Sequence, residues 1–189
     1  MTSGVRVFAI ASLLDPRADK ATHELWLKLE NECQLKGIRL TPTPHFSWLG
    51  AEGYDYPIVK KVLAKMTKRM APFRVQTSGL GLFTSPYPVL YLPIVKNRRL
   101  LEYHEQMHRH VEPFAQQPNR FYTPDAWVPH VTLANRDVTP EKLNCAVSGL
   151  LYRPLSFEIT VDHLVMIYSI GDEVGMMDRF DFEGSDHPE

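Results

Sequence analysis

The sequence predicts a mixed α+β protein in a single domain covering residues 1–189. Apolar segments typical of strands alternate irregularly with segments whose apolar residues recur at helical spacing, which favours a mixed architecture over a repeated strand–helix unit. Contents of 44% hydrophobic and 23% charged residues are those of an ordinary globular chain. A formal charge of −1 gives no broad positive field for a long nucleic acid, but a small ligand or a nucleic-acid end needs only local positive groups.

Prolines and the spacing of apolar residues locate the elements of the first half. Asp15-Pro16 is a typical helix start, because aspartate caps the first turn and proline suits its first position. The prolines before His45 exclude helix and favour extended chain. The second helix is expected to carry one apolar face, formed by Ile58, Val62, Met66 and Met70. The predicted elements are a strand at Val5–Leu13, a helix from Asp15-Pro16 to about Gly37, extended chain at 41–50, a helix from about Pro57, and strands at Phe73–Phe83 and Val89–Val95.

The same signals locate the elements of the second half. Pro113 ends a helix of clear apolar periodicity, and the polar segment after it is typical of a loop. Thr139 precedes a proline and a glutamate, which is a typical start for a fourth helix. The predicted elements are a helix at Asn97–Val111, a loop at Glu112–Asp125, a strand at Val128–Ala134, a helix from Thr139-Pro140-Glu141, and strands at Phe157–Ile170 and Val174–Phe182 around a turn at Gly171-Asp172.

The two cysteines and the N-terminus bear on the cellular compartment. Cys33 and Cys145 fall inside predicted helices, and two cysteines cannot make a disulfide framework, so we expect buried reduced thiols and a reducing compartment. The N-terminal apolar stretch is short and has no basic leader, so it is interpreted as a strand rather than a signal peptide. No apolar run has the length of a membrane span. We therefore expect a cytoplasmic protein without membrane association.

A short pattern occurs twice, as PTPHFSWL at 42–49 and as WVPHVTLA at 127–134. Each copy is proline, histidine, an apolar residue, a hydroxyl residue and two apolar residues. Successive side chains of a strand point to opposite faces, so His45 and Ser47 are expected to share one face, as are His130 and Thr132. A lone histidine on a strand is more often structural, but two matched strands of this kind favour a common cleft.

Two histidines with two hydroxyls suit the cleavage of a phosphodiester. One neutral imidazole can take a proton from the attacking group, and the other, as imidazolium, can protonate the departing oxygen. An ordinary pKa near 6.5 makes both states accessible near neutrality. We take His130 as the general base and His45 as the general acid, and the similarity of the motifs leaves the reverse open. Ser47 and Thr132 would hold the phosphate, and the arrangement needs no metal ion or cofactor.

The two motifs resemble the signature of the two-histidine phosphoesterase superfamily, which includes 2'-5' RNA ligases and cyclic nucleotide phosphodiesterases. That signature is His-apolar-(Ser/Thr)-apolar in two copies, met here at 45–48 and 130–133. The resemblance implies two lobes, with two pseudo-symmetric, mainly antiparallel sheets, helices outside and a central cleft. It also implies a phosphodiesterase acting on 2',3'-cyclic phosphate ends or 2'-5' linkages. The partner would be an RNA 3' end or a small cyclic nucleotide, and we expect a monomer.

One position departs from the pattern of this family. Many members of the RNA ligase branch carry an arginine three residues after the second-motif threonine, where this chain has Asn135. Arg136 is adjacent, but strand alternation would point it to the opposite face if the strand continued regularly. The substrate is therefore less well defined by the resemblance than the catalytic residues are.

Two alternatives stay open. His104-Glu105-Gln106-Met107-His108 matches H-E-x-x-H, in which two histidines on one helical face bind zinc and the glutamate serves as a base. The glycine and third histidine of the extended zinc motif are absent, and no helix downstream offers a clear third ligand. The second alternative is a nucleotide-binding or RNA-end-binding module with little turnover. Its candidate base-stacking residues are Tyr87, Tyr91, Tyr122, Trp127 and Tyr168.

Overall fold

The computed structural model describes residues 6–40, 43–171 and 173–185. Four residues of predicted elements lie outside these ranges, namely Val5, Thr41, Pro42 and Asp172. Among the helices described, none is both long and apolar enough to cross a membrane. The described α-helices are α1 at Pro16–Cys33, α2 at Tyr56–Thr67, α3 at Arg98–Val111 and α4 at Pro140–Leu150. The described strands are β1 at Arg6–Leu13, β2 at His45–Tyr54, β3 at Phe73–Gln76, β4 at Gly81–Phe83, β5 at Val89–Pro93, β6 at Ala115–Pro118, β7 at His130–Ala134, β8 at Glu158–Val161, β9 at His163–Ile170 and β10 at Glu173–Asp181.

The described strands form three antiparallel sheets. The largest has five strands in the order β10-β9-β1-β2-β6, the second has the order β4-β5-β7, and the third pairs β3 with β8. A single bridge between Thr77 and Ile94 connects the end of β3 to the end of β5. The predicted mixed α/β class with antiparallel sheets is therefore confirmed.

The two strands that carry the repeated motif contribute the same pattern to the core. Phe46 and Trp48 of β2 are at most 1% exposed, and Val131 and Leu133 of β7 are fully buried. These side chains belong to one cluster of buried hydrophobic residues that includes members from both larger sheets. Their burial, at roughly 25 cal/mol per Å² of apolar surface, holds the motif strands against the core and leaves their other faces free.

Two predicted strands are each divided between two sheets, so their predicted bounds were wrong. The segment Phe73–Phe83 leaves the two-stranded sheet after Gln76 and enters the three-stranded sheet at Gly81. Between them Thr77 is fully buried and donates its hydroxyl to the carbonyl of Leu155 at 2.7 Å. The segment Phe157–Ile170 breaks at Asp162 in the same way. An apolar run cannot reveal such a break, because both halves keep the composition of a buried strand.

Two further predictions need correction. The segment predicted as a loop at Glu112–Asp125 contains β6, which pairs with the outer edge of β2 and includes Pro118. Proline is tolerated there because β6 is an edge strand. In α2 the fully buried residues are Val59 and Leu63, whereas Ile58 of the predicted face is 38% exposed. The apolar face of α2 is thus rotated by one residue from the prediction.

The expectation of reduced cysteines was also wrong, because Cys33 and Cys145 form a disulfide between the end of α1 and α4. The Cα atoms are 5.7 Å apart although 112 positions separate the two residues in sequence. Lys142 of α4 reinforces this contact by donating to the carbonyl of Gln34 at 2.8 Å. The packing of two helices determines this pairing. Because the two cysteines are joined in a disulfide, they no longer support the expectation of a reducing compartment.

We predict that Asp15→Ala lowers the free energy of unfolding by about 2–3 kcal/mol. The Asp15 carboxylate accepts from the backbone N–H groups of Arg17 and Ala18 at the start of α1, and from that of Thr160 in β8 at 2.7 Å. Chemical denaturation measures the change. Asp55→Ala is the matched control, because Asp55 precedes α2 without a side-chain cap. Equal effects of both substitutions would contradict this role of Asp15.

Candidate active site

Each motif histidine lies at the first position of its strand. His45 begins β2 and pairs with Leu13 of β1, and His130 begins β7 and pairs with Pro93 of β5. Along both strands the histidine and hydroxyl residues are half-buried, and the apolar residues between them are buried. Ser47 thus shares a face with His45, and Thr132 shares a face with His130, as strand alternation predicts.

A backbone carbonyl orients each imidazole in the same manner. Nδ1 of His45 lies 2.9 Å from the carbonyl oxygen of Thr43, and Nδ1 of His130 lies 2.7 Å from that of Val128. A carbonyl oxygen can only accept, so Nδ1 carries the proton in both rings. In the neutral form, Nε2 is then an unprotonated acceptor. In the charged form, Nε2 becomes a donor, so each ring can work as either base or acid at the same atom.

Burial makes both histidines weaker bases than an exposed imidazole. It lowers the pKa of His45 from its ordinary value of 6.5, and the hydrogen bond to Thr43 opposes this effect. Burial also lowers the pKa of His130, and the charge of His45 lowers it further. The repulsion between two imidazolium charges disfavours the state in which both rings are charged.

Two tryptophans hold the motif strands in position. Nε1 of Trp127 donates to the carbonyl of Ser47 at 3.0 Å, and Nε1 of Trp26 donates to the carbonyl of Thr132 at 3.0 Å. Trp127 is 1% exposed and lies between Trp48 and His104, with ring centroids at 5.6 and 3.8 Å. Trp127 is therefore not available to stack a nucleobase, contrary to one of the sequence-based candidates.

Aromatic rings also pack against His130. The centroid of its imidazole lies 4.9 Å from that of Phe83 and 5.0 Å from that of Tyr91. Tyr91 itself stacks on Phe83 at 4.1 Å and is only 8% exposed. Its ring therefore packs against the histidine and is not accessible to a nucleobase. Of the other stacking candidates, Tyr87 is 78% exposed, and Tyr122 and Tyr168 line a cleft beside His45.

That cleft has a volume of about 540 Å³ and is lined by His45, Ser47 and Tyr122 among others. Burial raises the pKa of Tyr122, and an interaction with the side chain of Ser47 opposes this effect. Gly50 makes room for the ring, because a Cβ atom there would meet Tyr122 Cε2 at 3.1 Å. Tyr122 is one of the base-stacking residues that the sequence suggests, but its position beside Ser47 depends on tertiary structure, and no sequence pattern indicates it.

Arg136 also lines this cleft, contrary to the direction expected from a regular strand. β7 ends at Ala134, and Arg136 adopts a φ of +67° in a turn closed by a hydrogen bond from Asp137 N to the carbonyl of Asn135. A positive φ in a non-glycine residue costs on the order of 1–3 kcal/mol and persists where surrounding contacts enforce it. Here the Asp137 carboxylate accepts from Lys36 N at 2.7 Å and holds the turn. Arg136 is thus an exposed residue of the cleft on the His45 side.

The candidate zinc residues lie elsewhere and in a different environment. His104 is 1% exposed and lies flat against Trp127, with an angle of 2° between the rings. Its Nε2 atom has no hydrogen-bond partner among the described residues. Within the described ranges, no third histidine, cysteine or carboxylate joins His104 and His108 in a cluster able to hold a metal ion. The aromatic stack accounts for His104 better than a zinc site does.

Burial and the neighbouring His108 lower the pKa of His104 to about 4. Between pH 6.5 and 4 the unfolded chain therefore takes up a proton at this position that the folded protein does not, so acid reduces stability. We predict that wild type loses about 2 kcal/mol more stability between pH 7 and pH 4.5 than His104→Phe does. Denaturation at the two pH values measures this difference.

His110→Gln is the control, because His110 lies on the same helix but is exposed. It should keep the wild-type dependence on pH. The same loss of stability in wild type and in His104→Phe would show that His104 does not take part in this effect.

The chain is similar to several known proteins. Residues 14–173 match the family model described as the 2'-5' RNA ligase superfamily. A protein of Geobacillus thermodenitrificans (strain NG80-2), whose name describes it provisionally as a phosphoesterase, is 27% identical over 124 residues. The match covers 62% of this chain and 67% of that protein. A protein of Geobacillus kaustophilus (strain HTA426) with the same provisional description matches with the same values.

Among solved structures, the chain is similar to Kluyveromyces marxianus Usb1 with uridine monophosphate. The identity is 11%, the match covers 93% of this chain and 99% of that chain, and the TM-score is 0.46. Another structure of the same yeast protein gives 12% identity, the same coverage and a TM-score of 0.47.

Proposed function

Because the chain belongs to the 2'-5' RNA ligase superfamily, we propose that it is a metal-independent phosphodiesterase acting on 2',3'-cyclic phosphate ends or 2'-5' linkages. The substrate is an RNA 3' end or a small nucleotide. One observation carries the proposal: both imidazoles are held through Nδ1 by a carbonyl, which leaves Nε2 of each ring for the substrate. A pair of histidines prepared in this way can perform both proton transfers, so the chemistry requires no Lewis acid.

The proposed reaction has His130 as the base and His45 as the acid. His130 Nε2 takes a proton from water, the water oxygen bonds to phosphorus, and the bond from phosphorus to the leaving ribose oxygen breaks. Nε2–H of His45 gives its proton to that oxygen. The Ser47 and Thr132 hydroxyls donate to the non-bridging oxygens, where negative charge grows. Arg136 adds a positive charge on the same side of the cleft. Proton exchange with solvent then restores both rings.

We predict that His45→Ala and His130→Ala each lower kcat/KM for a 2',3'-cyclic nucleotide by at least about 100-fold, because each substitution removes one proton transfer. Wild-type activity should be unchanged in excess EDTA. Initial rates with 2',3'-cyclic nucleotides and 2'-5' dinucleotides measure both effects. His110→Ala is the control for an exposed histidine, and circular dichroism verifies that the variants are folded.

Two results would contradict the proposal in different ways. Activity that EDTA abolishes and that neither substitution affects would support the zinc alternative at His104 and His108. Tight nucleotide binding by wild type without turnover of either substrate class would support the binding module instead.

The pH dependence is predicted to be bell-shaped, with its maximum on the acidic side of 6.5. The base must be neutral and the acid must be charged, and burial lowers the pKa of both rings in the free protein. The profile of kcat/KM reports the free protein, so it is the quantity to measure. In His130→Ala, the limb that depends on the base should disappear from the residual activity. A maximum well above pH 7 would contradict the lowered pKa values of the two histidines.

A further inference from the structure

The cleft extends beyond the motif residues along one face of the five-stranded sheet. Strand register places Ser47 beside Ala11, and Gly50 beside Ala9. Ala51 pairs with Phe8 on one side and with Pro118 on the other, so its neighbour Glu52 lies beside Val7 and Gln117. The face thus runs from the Ser47 row, over a floor of small residues, to a row that contains Glu52. His45, Ser47, Gly50, Glu52 and Gln117 all line the same cleft.

The length of this face corresponds to one nucleotide. Four residue steps along β1, from Ala11 to Val7, separate the Ser47 row from the Glu52 row, which is about 13 Å at 3.3 Å per residue. Both side chains reach into the cleft and shorten this distance. A phosphate beside Ser47 would place its ribose over Ala9, next to the Tyr122 ring that lies against Gly50, and its base against the Glu52 row.

The residues in the Glu52 row are polar, and their side chains are largely without hydrogen-bond partners among the residues that the structure describes. Glu52 is exposed and makes no hydrogen bond or ion pair with another side chain within the described ranges. Asn119 donates its backbone N–H to the carbonyl of Gly50 at 2.9 Å, and its Oδ1 accepts from Phe121 N at 3.0 Å. The side-chain amide of Asn119 is therefore fixed, with Nδ2 left to donate.

Backbone strain occurs at the same place. Three non-glycine residues in the described chain have positive φ, and two of them, Gln117 at +49° and Arg136 at +67°, line this cleft. The third, Gln34, caps the C-terminus of α1, where such a conformation is ordinary. Strained residues of this kind are concentrated at ligand sites. The edge strand β6 thus presents Gln117 beside Glu52 at the end of the cleft.

A carboxylate repels phosphate, so its presence in a cleft that binds an anion requires a physical explanation. At this separation, comparable to the Debye length of about 8–10 Å, its effect on the phosphate is largely screened. A carboxylate can only accept hydrogen bonds, so its ligand must present N–H groups. Guanine offers two adjacent donors, N1–H and the N2 amino group, which match the two oxygens of one carboxylate. Its O6 is an acceptor for an amide such as that of Asn119.

We propose that Glu52, with Asn119 and Gln117, forms a base-recognition site that prefers a guanine nucleotide. This inference rests on the proposed phosphodiesterase function and names the substrate within it. Glu52 determines specificity and takes no part in the proton transfers.

The test compares two substrates that differ only in the N2 amino group, 2',3'-cyclic GMP and 2',3'-cyclic IMP. Wild type should favour the guanine substrate in kcat/KM by about five- to tenfold, the value of one charge-assisted hydrogen bond at a partly exposed site. Glu52→Gln should bring the ratio close to one, and it should also lower kcat/KM with cyclic IMP to a smaller extent, because the N1–H of hypoxanthine loses its charged acceptor. Glu105→Gln is the matched control on the exposed surface of α3 and should keep the wild-type ratio.

Equal kcat/KM values for the two substrates in wild type, or a preference that persists in Glu52→Gln, would overturn the inference. Failure to hydrolyse either substrate would instead contradict the proposed function. The base site is tested separately by calorimetric binding of 3'-GMP and 3'-IMP to wild type and to Glu52→Gln. A tighter Kd for 3'-GMP that is lost in the variant supports the site, and equal Kd values in wild type overturn it.

Discussion

The hydrogen bond from Trp127 to the carbonyl of Ser47 joins the two motif strands, and the rest of the site depends on it. The indole comes from the segment just before β7 and contacts the middle of the first motif in β2. Its faces are covered by Trp48 and His104, so the ring cannot turn without opening the core. A polar N–H buried in this stack costs free energy unless it is paired, and Ser47 provides the partner. The relative position of the two motifs is thus determined by packing as well as by a specific contact.

The histidines depend on a local constraint of the same kind. Each Nδ1 is bonded to the carbonyl two residues before it, so the extended chain that precedes each strand also selects the tautomer. Proline immediately precedes both histidines and keeps that chain extended. The recurrence of proline in both motifs therefore has a direct physical purpose, which is to present a carbonyl at the distance that fixes the ring.

The cleft on the His45 side combines strain with open space. Gly50 and Ala9 line its floor with small residues. Gly50 also leaves room for the ring of Tyr122 beside Ser47. Arg136 lines the cleft from the turn after β7, where it has a positive φ and the neighbouring Asp137 contacts the segment after α1. Lys142 extends the same set of contacts by binding both Asp137 and the carbonyl of Gln34. The disulfide between Cys33 and Cys145 also joins α1 to α4.

The mixed α/β class, the helix starts at Asp15 and Thr139 and the alternation of both motifs could be predicted from sequence, because capping and the two-residue repeat of a strand are local properties. The catalytic assignment of His45 and His130 remains a prediction from the same pattern. Only tertiary structure decided the disulfide, the division of Phe73–Phe83 between two sheets, the burial of His104 and Trp127, and the direction of Arg136. Each of these depends on contacts between residues far apart in the chain or on one backbone angle. Neither composition nor periodicity records such contacts, because the free energy that selects them arises only when distant surfaces pack together.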